Sequence, residues 1–235
     1  NGHRGGFVLF DQHPRVIEPQ GREIFCERLA GRAAEAAARS ISPEIVQVMA
    51  NYGDHVQDVC ICNTEGVFVT DRRVQTRLRV SAIASNGTEN QSGSDAPGAS
   101  MGFELFDTRV NAEESGKIAA QQAVTMLHAP VCPAGVMPVA IDNGFGGVIF
   151  HEACGHSLEA AAVAFGNSEF CGKLGQKIAS DKVTAIDDGT MPNEWGSSNV
   201  DDEGTPTTRL VLIENGVLKN YMVDRLNGRR MGMAP

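Results

Sequence analysis

The sequence predicts a mixed α+β fold in two parts. Three observations carry the prediction. Two segments have helical apolar spacing with recognisable start and stop signals. Between them lies a block of alternating strands broken by Asn- and Gly-containing turns. A proline-bearing stretch, Pro130 to Gly135, then separates that block from a glycine-broken motif and a second hairpin. The expected arrangement is an N-terminal helix-and-antiparallel-sheet part, residues 1–130, packed on a β-rich C-terminal part, residues 131–235, that carries the motif helix. A length of 235 residues allows one large or two small domains, and a 42% hydrophobic content supports a sizeable core.

The elements follow in order. Asn1 to Gln20 reads as an irregular lead-in with one short apolar run, Phe7 to Phe10, and with His3 and His13 as solvated loop residues. Arg22 to Ser40 reads as a helix rich in Ala, Glu and Arg, with Ile24, Leu29, Ala33 and Ala37 as its stripe. Ile45 to Tyr52 and Val56 to Cys62 alternate, and Asn63 to Gly66 turns the chain. Val67 to Thr70 and Val74 to Ser85 continue the sheet. Asn86-Gly87 signals a two-residue hairpin, from which Thr88 to Ser92 returns. His55, at a strand start, is read as structural. Ser92 to Ser100 is read as a flexible linker in preference to a glycine-rich loop beside a substrate path. Asn111 caps a helix to Leu127, with Glu113 and Glu114 at its positive end and His128 at its negative end. Its apolar face is Ile118, Ala119, Ala123, Val124 and Leu127. Val136 to Ile141 reads as a short strand.

The C-terminal part continues with a glycine-broken loop, Gly166 to Ser180, and a strand from Asp181 to Ile186. The acidic residues Asp187, Asp188, Asp201, Asp202 and Glu203 read as turn chemistry, since their spacing matches no calcium loop. Arg209 to Glu214, Asn215-Gly216, and Val217 to Val223 form the clearest hairpin. Arg225, Arg229 and Arg230 follow it, and pairing with acidic side chains is preferred over capture of a peptide carboxylate.

Charge and composition exclude several classes. A net charge of −9 argues against nucleic acid or an anionic membrane as partner. No apolar run approaches the roughly 20 residues of a membrane span, and no signal-peptide pattern opens at Asn1. The six cysteines are scattered. Cys60 and Cys62 share one face of a strand, as core packing does. Reduced thiols and a cytoplasmic location are expected.

The chemistry concentrates in Gly144 to Leu158, GFGGVIFHEACGHSL. His151, Glu152 and His156 fall within six residues, two imidazoles and a carboxylate that suit a metal with a general base beside it. The familiar peptidase helix spaces its histidines i and i+4, on one face. Here the second histidine is at i+5, about 140° around a regular helix instead of about 40°. A regular helix would splay the pair, so the sequence predicts a distorted helix at Gly155, where the backbone can loosen or bulge. The apolar lead-in Val148-Ile149-Phe150 is expected to anchor this element in the core.

A family resemblance rests on these and later residues. The segments Gly144 to Val148, His151 to Glu159, Val183 to Thr190, Asp201 to Pro206, Leu212 to Met222 and Arg225 to Met233 resemble the TldD/PmbA family. They resemble its TldD branch, which keeps the histidine motif that the PmbA (TldE) branch lacks. The resemblance implies a zinc metallopeptidase acting on small or unfolded peptides, working as a homodimer or as a heterodimer with a PmbA-like subunit. It implies His151 and His156 as zinc ligands and Glu152 as the general base on a metal-bound water. It further implies that residues 1–235 are the middle of a longer protein, with a cysteine ligand C-terminal to Pro235. Cys171 and Glu159 are the candidate substitutes for that ligand within this chain. The alternative reading is a non-catalytic binding or scaffold subunit.

Overall fold

The structure, a computed structural model, describes residues 7–10 and 21–235, with side chains from residue 30 onward. His3, His13 and most of the expected lead-in therefore lie outside the described residues. Its apolar run forms strand β1 (Phe7–Phe10), paired antiparallel with Val59 to Cys62.

Helix α1 spans Gly21–Arg39 and buries Ala34 and Ala38, not the expected Ala33 and Ala37. Alanine occupies both faces of this run, so apolar spacing alone cannot choose between them. Strands β2 (Ile45–Cys62) and β3 (Phe68–Ser85) are 18 residues each and pair antiparallel from Ile45↔Ala84 to Cys62↔Phe68. The hairpin is thus roughly 60 Å long. The interruptions expected near Gly53 and Arg72 are absent, because pairing with the partner strand carries both segments through. His55 lies mid-strand and exposed. At the tip, the Asn63 side chain accepts from the amides of Glu65 and Val67 at 2.9 and 3.1 Å, and Gly66 takes a φ of +91°.

Strand β4 (Asn90–Asp95) returns along β3, and β5 (Gly98–Ala99) adds to the same strand. The β3–β4 connection is a four-residue loop, not a two-residue turn. The Asn86 side chain holds it by accepting from the amides of Thr88 and Glu89 at 3.0 and 2.8 Å. The expected linker at residues 92–100 is therefore largely sheet. Its small residues serve packing: a Cβ on Gly93 would lie 2.2 Å from the carbonyl oxygen of Ala119.

That carbonyl belongs to α3 (Ala112–His128), which follows the short α2 (Leu105–Thr108). Asn111 caps α3, accepting from the amides of Glu113 and Glu114. The helix buries Ala119, Ala120, Ala123 and Leu127, while Ile118 is 39% exposed and does not belong to the core face. Helices α1 and α3 cover one face of the sheet, whose contribution is the alternating row Leu78, Val80, Ala82 and Ala84. At the helix crossing a Cβ on Gly116 would sit 2.1 Å from the carbonyl oxygen of Ala34. Small residues let the backbones meet, so this core is thin and alanine-rich.

The C-terminal part begins irregularly. The expected strand at 136–141 does not form, and Val136 and Val139 are exposed. Alternating apolar residues suit a strand, but a strand also needs a neighbour to satisfy its backbone, and no described strand lies against this one. The chain then winds through α4 (Val148–Phe150) and the motif to α5 (Ala160–Val163). Strands β6 (Ala185–Asp188), β7 (Arg209–Glu214) and β8 (Val217–Leu218) form an antiparallel sheet, followed by α6 (Arg225–Met231). Asn215 and Gly216 both take positive φ, 50° and 80°, as the tight β7–β8 turn requires. A second core gathers Leu158, Leu212, Ile213, Leu218 and Tyr221.

The distal end of the β2–β3 hairpin joins the two parts. Val59 and Ile61 pack with Val200, and Arg73 pairs with Asp202 at 2.7 Å. Glu65 at the tip accepts from Arg229 and lies 3.5 Å from Arg225. The basic cluster thus pairs with an acidic side chain, except that Arg230 stacks on Phe165. Asp188 and Asp201 fold turns by accepting from Thr190 and from Glu203 and Thr205.

Gly93→Ala drives a methyl group into helix backbone and is expected to destabilise by about 1–3 kcal/mol. Gly53→Ala, with open space around its Cβ, is expected to be near neutral; equal unfolding midpoints for the two would contradict the packing. Acid should also weaken the fold. The hydrogen bond to His128 lowers the Glu44 carboxyl, and the Thr190 hydroxyl and amide lower Asp188. Burial raises Asp224, but hydrogen bonds from Asn227 outweigh it and the net direction is down. Carboxyls lowered in the folded state stabilise it above their unfolded pKa, and that contribution is lost as pH falls through the folded value. The urea midpoint should hold down to about pH 5 and drop below about pH 4, less steeply in Glu44→Gln. A midpoint that rises on acidification would contradict this.

Candidate metal centre

The motif is one winding path that changes pitch three times. Gly144, at a φ of +75°, opens a 3₁₀ turn over Gly144–Gly147. One α turn, α4, brings the chain to His151. His151–Gly155 then forms a π turn, and His156–Leu158 closes as 3₁₀. The distinguishing bond is the amide of His156 donating to the carbonyl oxygen of His151. It is an i→i+5 bond and links the two histidines directly. A π turn carries an extra residue per turn, so positions i and i+5 come onto one face. The i+5 spacing is thereby reconciled with a shared site, and the distortion falls where the sequence predicts it. Gly155 itself keeps ordinary helical angles, and a Cβ there would touch the His151 ring at 3.4 Å. Its contribution is low helix propensity and room, not an unusual backbone angle.

The π turn brings His151, Glu152 and His156 together. Each offers one ligand atom, and these atoms all lie within 4.8 Å of one another. The imidazole centroids are 4.4 Å apart in an edge-on arrangement, and His156 Nε2 is 4.0 Å from Glu152 Oε2. All three residues are exposed to solvent. Two imidazoles and a carboxylate converging on one point are the donor set that zinc chemistry uses. Among the described residues no other group of three such side chains converges in this way.

The two candidate substitutes for a further ligand lie elsewhere. Glu159 accepts a hydrogen bond from the opposite ring nitrogen of His156, Nδ1, at 2.8 Å. Cys171 points its thiol at the carbonyl oxygen of Val163. The expected core anchor also differs. Val148, Ile149 and Phe150 are 37–58% exposed. The motif is instead fixed at its exit, by fully buried Leu158. The Leu158 carbonyl accepts from the Met222 amide at 2.9 Å, and the Ala160 amide donates to the Met222 carbonyl at 2.8 Å. Sequence reasoning missed this clamp, because its partner lies some sixty residues away. The His-x-x-Glu spacing was the available signal for Glu159.

A separate cleft of about 1070 Å³ opens between the distal hairpin and residues 189–202. His55, Asp71, Arg73, Gln75 and Trp195 line it, and no motif residue does.

Residues 25–127 match the PmbA/TldA metallopeptidase central domain, and residues 134–235 match the PmbA/TldA metallopeptidase C-terminal domain. A metalloprotease TldD homolog of Haemophilus influenzae is 36% identical over 85% of this chain and 42% of that protein. A metalloprotease of Methanothermobacter thermautotrophicus is 36% identical over 81% of this chain and 42% of its own length. The chain thus spans less than half the length of the curated relatives it matches. Among solved structures, one from Thermotoga maritima superposes with a TM-score of 0.79 at 27% identity, covering all of this chain and 52% of the other. TldE from Thermococcus kodakarensis shares the fold, with a TM-score of 0.72 at 19% identity over 96% of this chain and 50% of that one. The chain belongs to the TldD/PmbA family of metallopeptidases.

Proposed function

We propose that the protein is a zinc-dependent metallopeptidase that hydrolyses small or unfolded peptides. The observation that carries this reading is the π turn that converges His151, Glu152 and His156. Zinc in such a site supplies Lewis-acid polarisation of the scissile carbonyl and a lowered pKa for water. His151 and His156 would hold the ion through ring nitrogens. Glu152, one residue from a ligand, takes the proton of the attacking water and passes it to the leaving amine. Catalytic zinc sites use three protein ligands, so a further ligand is inferred. The family resemblance points to a cysteine C-terminal to Pro235.

The same reading has two units meeting near residues 130–131. It has the protein act as a homodimer or beside a PmbA-like subunit, in line with the fold shared with TldE. Five free thiols among the described cysteines are in keeping with a cytoplasmic location. No helix among the described residues is long and apolar enough to cross a membrane. The alternative, a non-catalytic binding or scaffold subunit, gives no reason for the converging side chains.

Glu152→Gln in the intact protein is expected to keep its metal and lose peptide hydrolysis by about 10²–10⁴-fold. Hydrolysis at the parent rate, with metal content unchanged, would remove Glu152 from the mechanism.

A further inference from the structure

His156 has its second nitrogen occupied, and the backbone beneath the partner side chain is held at several points. Glu159 Oε1 lies 2.8 Å from His156 Nδ1. An ionised carboxylate can only accept a hydrogen bond, so the proton of a neutral imidazole must sit on Nδ1. The Nε2 lone pair is then free on the side that faces Glu152, 4.0 Å away. The contact is not a loose one between two long side chains on a mobile surface. Glu159 stands between Leu158 and Ala160, 0% and 1% exposed, and both are hydrogen-bonded through their backbones to Met222. Its own amide donates to the His156 carbonyl, and its carbonyl accepts from Ala162 and Val163. Glu159 also occupies the cap position of α5, where a side-chain oxygen can bond the first free amides. It makes no such bond and turns to the imidazole instead.

We infer that Glu159 is a positioning residue for the metal site, fixing the ring orientation and tautomer of His156 so that Nε2 is presented as ligand. This rests on the zinc reading above. Outer carboxylates of this kind raise the basicity of a ligating imidazole and hold its ring against rotation. The competing account is an ordinary surface ion pair, with both side chains about half exposed. Such a pair contributes little to anything, and its removal should not reach the metal.

Competition titration with a chromophoric chelator, using zinc alone and the intact protein, separates the two. Glu159→Ala should weaken zinc affinity about 10- to 100-fold, with the circular-dichroism spectrum unchanged. Glu159→Gln keeps an acceptor oxygen but not the charge and should fall between Glu159→Ala and the parent. Parent-like affinity in Glu159→Ala would overturn the inference, and if His156→Ala still lost zinc the metal reading would survive. Glu159→Gln as weak as Glu159→Ala would overturn the hydrogen-bond account. A parent protein that binds no zinc, or a His156→Ala variant that binds it normally, would overturn both.

Discussion

The candidate site depends on one backbone hydrogen bond, from the amide of His156 to the carbonyl oxygen of His151. Without it the histidines would stand on different sides of a regular helix, and the carboxylate between them would have no shared target. The π turn is rare because it opens the helix and weakens its packing along the axis. Here it is held from its C-terminal side. Buried Leu158 and the two backbone bonds to Met222 fix where the helical path must end. The five residues His151–Gly155 must then fit into the path before His156, and the wide turn is how they do so. Rigidity at the exit, not burial of the apolar lead-in, keeps the exposed side chains together.

The rest of the fold supplies the platform for that exit. Met222 follows the β7–β8 hairpin, whose turn is formed by two residues with positive φ. Tyr221 anchors the same stretch by donating its hydroxyl to the Phe170 carbonyl. The long β2–β3 hairpin reaches across from the N-terminal part and is clipped by Arg225 and Arg229 at Glu65 and by Arg73 at Asp202. The C-terminal sheet is small, and these contacts tie α6 and the turn at Asp202 beside it to the long hairpin.

Much of this was legible in the sequence wherever the cause is local. Asn111, Asn63 and Asn215-Gly216 act on backbone within four residues, so their residue types alone announce the cap and the turns. The i+5 spacing announced a distorted helix for the same reason, since helical phase is a local property. What was not legible depends on partners far along the chain. Gly93 looks like linker until α3 is laid on it, and alanines on both faces of α1 conceal which face is buried. Residues 136–141 have a strand's alternation but no described neighbour to pair with. Glu159 could be read as a ligand or as a partner of His156, and only the ring's orientation distinguishes them.

A metal site half built by His151 and His156 on the π turn requires the intact protein to carry its ion through both rings. Metal content of the intact protein, measured by mass spectrometry beside His156→Ala, tests it most directly. The account predicts about one zinc per chain in the parent and its loss in the variant. Zinc retained in His156→Ala, or none in the parent even after zinc is added back, would contradict it.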